Sequence, residues 1–164
     1  MVGCIVDAAD RWSKVAFFGG PITPWIEGEP PRWLQQIYPR IETAFAAHNL
    51  GQEPHPITQS KFPFGAHMAM RANVQRRYLF DLKLGLRLGN RLRGEEIAVF
   101  KAMTRDGLEG RWSPGAKVQH FIPKGRQTKK YLRPYYRVLG VLDALNMAQE
   151  GQDLLSIDSS IFSL

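Results

Sequence analysis

Cysteine is nearly absent: Cys4 stands alone in 164 residues. Neither an internal disulfide nor a cysteine-built zinc cluster can form, so a reducing compartment, the cytoplasm, is the expected location. Long apolar runs are missing too. No stretch approaches the roughly 20 residues needed to cross a bilayer, and Asp7 and Asp10 interrupt the region where a signal peptide needs an unbroken apolar run. The chain also lacks an Asp-x-Asp pair, a glycine-rich phosphate loop of the usual forms and a Gly-x-Ser-x-Gly elbow. His48, His55 and His67 have no regular ligand spacing. A complete phosphate or metal site is therefore not visible.

Acidic residues are scarce in two stretches. Arg71, Arg76, Arg77, Lys83, Arg87, Arg91 and Arg93 face only Asp81, and from Arg111 to Arg137 the basic residues face no acid at all. Within a net charge of +7, these two fields would attract phosphates on a nucleotide, a nucleic acid or an anionic lipid surface. Charge alone does not choose among them.

What is present fits one globular domain spanning 1–164. Hydrophobic residues make up 44% and charged residues 23%, enough to bury a core beneath a polar surface. Fifteen Gly and eleven Pro point to many turns between short elements, which favours α/β over a helical bundle.

Along the chain, the apolar run 15–18 closed by Gly19, Gly20 and Pro21 reads as a buried strand, and 24–31 as loop. Trp33, Leu34, Ile37, Ile41 and Phe45 predict a helix over 32–48, entered at Pro30 and Pro31. A strand over 62–70 and a short helix over 72–80 follow. Ile97, Phe100 and Met103 share one face of a helix over 95–106, with Gly107 as its stop. Val118, His120 and Ile122 alternate in a strand over 117–122. A helix is expected from Arg126, kinked or restarted at Pro134, with Arg126, Lys129, Lys130, Arg133 and Arg137 in one stripe. The ends, 1–14 and 151–164, receive no assigned element.

Two places could carry chemistry. Glu95 and Glu96 sit after Gly94 in the first turn of a helix, where acids commonly serve only to complement the helix dipole. The same placement lets a carboxylate accept a proton from an incoming hydroxyl. His120, late in a strand, is a packed or hydrogen-bonded histidine or a metal ligand.

A resemblance adds to this reading. Phe18-Gly-Gly-Pro-Ile22, Pro30-Pro-Arg-Trp-Leu34, Phe64-Gly-Ala-His-Met-Ala-Met-Arg71, Gly94-Glu-Glu96 and Trp112-Ser-Pro-Gly-Ala-Lys-Val-Gln-His120 occur in that order. The series is similar to the C-terminal part of family 2 glycosyltransferases, over most of residues 15–140. His67 replaces the family's Asn, and Glu96 its Asp. With the alternation of elements, the resemblance implies a partial GT-A-like mixed sheet flanked by helices, without the N-terminal nucleotide-binding unit, in which the Val15, Phe64 and Val118 strands share one sheet and the Glu95 helix packs across it. It implies transfer of a sugar from a nucleotide-sugar donor to a glycan or lipid-linked acceptor, with inversion.

Glu96 would then be the base and Glu95 its support. Trp33, Phe64, Gly65 and His67 would shape the acceptor side, Arg126 and Arg133 would meet the donor diphosphate, and His120 would help hold a divalent cation. Manganese or magnesium is expected for the complete enzyme, as is a donor-binding half that carries the Asp-x-Asp. The chain alone is expected to be inactive, cytoplasmic and in peripheral contact with the inner face of the membrane. The alternative is a non-catalytic basic protein for nucleic acid or another anionic partner, although no zinc finger or RNP-like pattern is present.

Overall fold

The computed structural model describes residues 2–58, 61–80 and 94–149. Lys83, Arg87, Arg91 and Arg93 of the first basic stretch, and the end 151–164, lie outside the described residues.

The architecture is mixed α/β, built on a short central strand, β1 (Phe17–Gly19). Alternation sends its two phenylalanines to opposite faces of the sheet. Phe17 lies in a buried cluster with Ile57, Phe62, Phe100, Met103 and Trp112, its ring centroid 4.6 Å from that of Phe100. Phe18 is buried with Ala8 and Val15, against Ile5, Ala9 and Trp12. A helix therefore covers each face: α1 (Val2–Arg11) on the Phe18 side and α4 (Glu95–Arg105) on the Phe17 side.

In the four-stranded sheet, β1 pairs in parallel with β5 (Gly110–Trp112) and antiparallel with β4 (Met68–Met70), while β3 (Pro56–Ile57) closes the outer side of β5. The lack of a side chain at Gly110 is required by packing, because a Cβ there would enter the Phe17 ring.

After β1 the chain turns at Gly20–Pro21 into a second, two-stranded sheet. Here β2 (Ile22–Ile26) and β6 (Val118–Ile122) run parallel, Ile22 opposite Val118 and Ile26 opposite Ile122. Ile26 and Ile122 pack with Leu34 and Ile41 of α2 (Arg32–Ile41), Phe45, and Leu132 of α5 (Lys129–Gln149). His48 links the two regions: its backbone exchanges hydrogen bonds with Ile22, and its ring meets Trp112 edge-on.

Several expectations are corrected. The strand containing Val118 is not in the sheet of β1; it pairs with Ile22–Ile26, a segment whose second half was expected to be loop. Phe64 precedes a 3-10 turn (Gly65–His67), and its strand begins only at Met68. The 32–48 helix ends at Ile41, just past Pro39, whose ring cannot donate into the helical ladder. A 3-10 turn, Glu42–Phe45, and left-handed Ala46 (φ 64°) complete the segment. The helix expected over 72–80 is the single turn α3 (Ala72–Gln75). Arg126 belongs to a 3-10 turn (Lys124–Arg126) and not to α5, which passes through Pro134 without restarting. Among the described residues, no helix is long and apolar enough to cross a membrane.

Candidate functional site

The directions of three strands gather loops at one edge of the main sheet. Parallel β1 and β5 end there at Gly19 and Trp112, and antiparallel β4 starts there at Met68. Gly20, the turn from Ser113 to Ala116, and the Gly65–His67 turn consequently meet. In open α/β sheets, the carboxyl ends of parallel strands are where ligands collect.

Contacts fix this edge. His67 donates from Nε2 to the carbonyl of Ala116, which sets its proton on that nitrogen. Gly20 lies beneath the pair; a Cβ on it would fall 2.6 Å from His67 Nε2 and 2.9 Å from the Ser113 carbonyl. The amide of Gly65 donates to Oε1 of Glu96 at 3.4 Å, so the first turn of α4 closes onto the loop before β4. Glu95 stands beside it with Oε2 buried and, among the described residues, without a hydrogen-bond partner, as is Oγ of Ser113. The Phe64 ring stacks on His48 at 4.2 Å, which holds the loop from behind. His48 titrates below its ordinary range because burial disfavours the imidazolium, an effect only partly opposed by a hydrogen bond with the Phe62 backbone.

Glu96, Gly65, His67 and Phe64 are thus brought together, with Glu95 next to Glu96. The remaining candidates belong to the smaller sheet and the elements packed around it. His120 sits on β6, opposite Pro24 in the smaller sheet. Its Nε2 accepts from Nη1 of Arg126 at 3.3 Å, and burial followed by the Arg126 charge lowers its pKa. A guanidinium aimed at that nitrogen does not suit a metal ligand, and among the described residues no group of three or more His, Cys, Asp or Glu side chains could hold a metal ion.

Arg126 also lies over the Tyr131 ring at 5.7 Å, whereas Arg133 is exposed on α5. Trp33 is half-buried in the core of the smaller sheet, with Lys129 Nζ 5.7 Å from its centroid. A surface hollow of 480 Å³ lined by Glu29, Pro30, Pro31, Arg32 and Gln35 marks the entry of α2.

Further cations of the basic fields are engaged within the fold. Arg71 donates to the carbonyls of Val15, Ala9 and Trp12, and Arg111 lies 4.5 Å over the Trp12 ring. Sequence reasoning also missed His48, Ser113 and Gln127. Gln127 is buried, and its amide donates to the carbonyls of Glu27 and Ile122, tying together the ends of β2 and β6. A buried glutamine between Arg126 and Thr128 carries no mark in the sequence.

The chain matches no protein-family model, no curated protein and no solved structure.

Proposed function

We propose that the chain is the acceptor-side part of an inverting, nucleotide-sugar-dependent glycosyltransferase with a partial GT-A-like fold. The observation that carries this reading is the contact of Glu96 with the Gly65 amide. It joins the Gly94-Glu-Glu96 and Phe64-Gly-Ala-His67 segments at the edge where the parallel strands β1 and β5 end, the edge at which open α/β sheets bind ligands.

In the proposed reaction an acceptor hydroxyl loses its proton to Glu96 as its oxygen attacks the anomeric carbon. The bond from that carbon to the nucleoside diphosphate breaks, and the configuration inverts. Phe64 offers an aromatic wall, held by His48, and His67 fixes the loop that orients the acceptor. Arg126 and Arg133 are proposed to meet the donor's charge. Because these residues contain no Asp-x-Asp, the diphosphate and the manganese or magnesium ion that would stabilise it as a leaving group need ligands from a separate donor-binding half. The proposed setting is the cytoplasm, at the inner face of the membrane, where the single exposed thiol of Cys4 would remain reduced.

The test is sugar transfer by the purified chain with UDP- and GDP-sugars and manganese or magnesium, with and without an added donor-binding half. Transfer is expected only with that half, and Glu96→Gln should lower it at least about 100-fold. Transfer that is indifferent to Glu96→Gln would remove Glu96 as the base. The exposed cations Lys129, Lys130, Arg133 and Arg137 support the rival, a basic protein that binds nucleic acid. Nucleic-acid binding with a steep salt dependence and no response to nucleotide sugars would favour it.

A further inference from the structure

The outer face of the smaller sheet is unusual for a surface. Trp25 is 58% exposed and Phe121 46%. They are direct partners across β2 and β6, their rings in an edge-to-face pair with centroids 5.2 Å apart and planes at 68°. Two residues earlier on the same face, Thr23 stands opposite Gln119, and both are exposed. Among the described residues, neither side chain makes a hydrogen bond. The opposite face, with Ile26 and Ile122, is packed against α2 and α5, so nothing in that core requires these aromatics to face water.

We infer that Thr23, Trp25, Gln119 and Phe121 form a carbohydrate-binding platform for a neutral oligosaccharide. The chemistry selects this occupant. Exposed aromatic faces bind the apolar C–H side of a pyranose, while a free hydroxyl and a free amide on the same face match its hydroxyl groups. Residues two apart on a strand are roughly 7 Å apart and adjacent strands about 4.8 Å, an area on the scale of one or two sugar rings.

Charge points the same way. In a chain of net +7, the four residues of this face are uncharged, which complements a neutral polyol. A surface for nucleic acid or anionic lipid would be expected to place cations among the rings. The exposed lysines and arginines of α5 lie on an element packed against the inner face instead. The platform goes beyond the transfer reading, since it is built on the smaller sheet and not on the Glu96 contact with Gly65, and it could hold a glycan whether or not transfer occurs.

The experiment measures binding of neutral oligosaccharides, including linear gluco-, manno- and galacto-oligomers, to the full chain by calorimetry and by saturation-transfer NMR. Parallel titrations use single-stranded DNA and vesicles containing phosphatidylserine. Trp25→Ala and Phe121→Ala alter exposed side chains, and circular dichroism checks that each variant folds. Binding of at least one neutral oligomer, weakened about tenfold or more in each variant, is the expected result. That result would stand even if no sugar transfer were ever detected. The proposal is overturned if no oligomer binds at millimolar concentration, or if binding survives both substitutions. It is equally overturned if the substitutions abolish DNA binding, vesicle binding or self-association and leave glycan binding unaffected.

Discussion

Arg71 donates through Nη2 to the carbonyl of Ala9 over 2.6 Å, at the C-terminal end of α1. The same guanidinium reaches Trp12 at 3.0 Å and, through Nε, Val15 at 2.7 Å. One side chain thus caps carbonyls at a helix end and in the following turn, where Trp12 also accepts from the Val15 amide and where the helix dipole favours a cation. Arg71→Met should cost roughly 1.5–3 kcal/mol of stability. Urea denaturation would measure this, and hydrogen exchange should show the loss concentrated in residues 2–15. A uniform loss, or none, would contradict the capping role.

Gly20 makes a second prediction at the candidate site. Its missing side chain is what permits the close approach of His67 and Ser113, so Gly20→Ala must displace backbone. The expected cost is roughly 1–3 kcal/mol. It should be accompanied by a changed His67 ring signal in NMR as the hydrogen bond to Ala116 is disturbed. An alanine accepted with no change in that signal would show that the loop cluster is looser than described.

His48 gives the pH dependence. Its pKa is lowered from the ordinary 6.5, with burial the leading cause, so below that value the unfolded chain binds a proton that the folded chain resists. Its contribution to stability is fully present above pH 6.5 and is lost as pH falls toward the lowered folded-state pKa. Thermal melts between about pH 5 and pH 8 should show stability declining over that acid range. His48→Gln should flatten the decline. His120 is shifted the same way, so a residual slope that disappears only in the double variant with His120→Gln is the complete expectation.

Sequence legibility followed the physical origin of each element. The 95–106 helix could be read because Phe100 and Met103 are buried at helical spacing and Gly107 adopts the positive φ (79°) that ends a helix. β6 could be read because its inner residues alternate with exposed ones. Alternation tells which face a residue takes and not which strand lies alongside, so the pairing of Val118 with Ile22 was invisible. β5 is three residues long and includes a glycine and an arginine, too short for any period. At the site, Glu96 and Gly65 were legible as candidates through the resemblance. The stack of His48 on Phe64 was not, because it depends on a bridge to Ile22 formed only in the fold.

The parallel pairs have a consequence for the order of events during synthesis. Phe17 must wait for Gly110, and Ile22 for Val118, before either can complete its ladder. Pairings between such distant segments form slowly, because the intervening chain must lose its freedom before the contacts compensate. As the chain emerges from the ribosome, Phe17 and Phe18 therefore stay without their final strand partner until β5 appears. A nascent chain stalled before residue 110 should bind chaperones that recognise exposed aromatics, and one released past residue 122 should not.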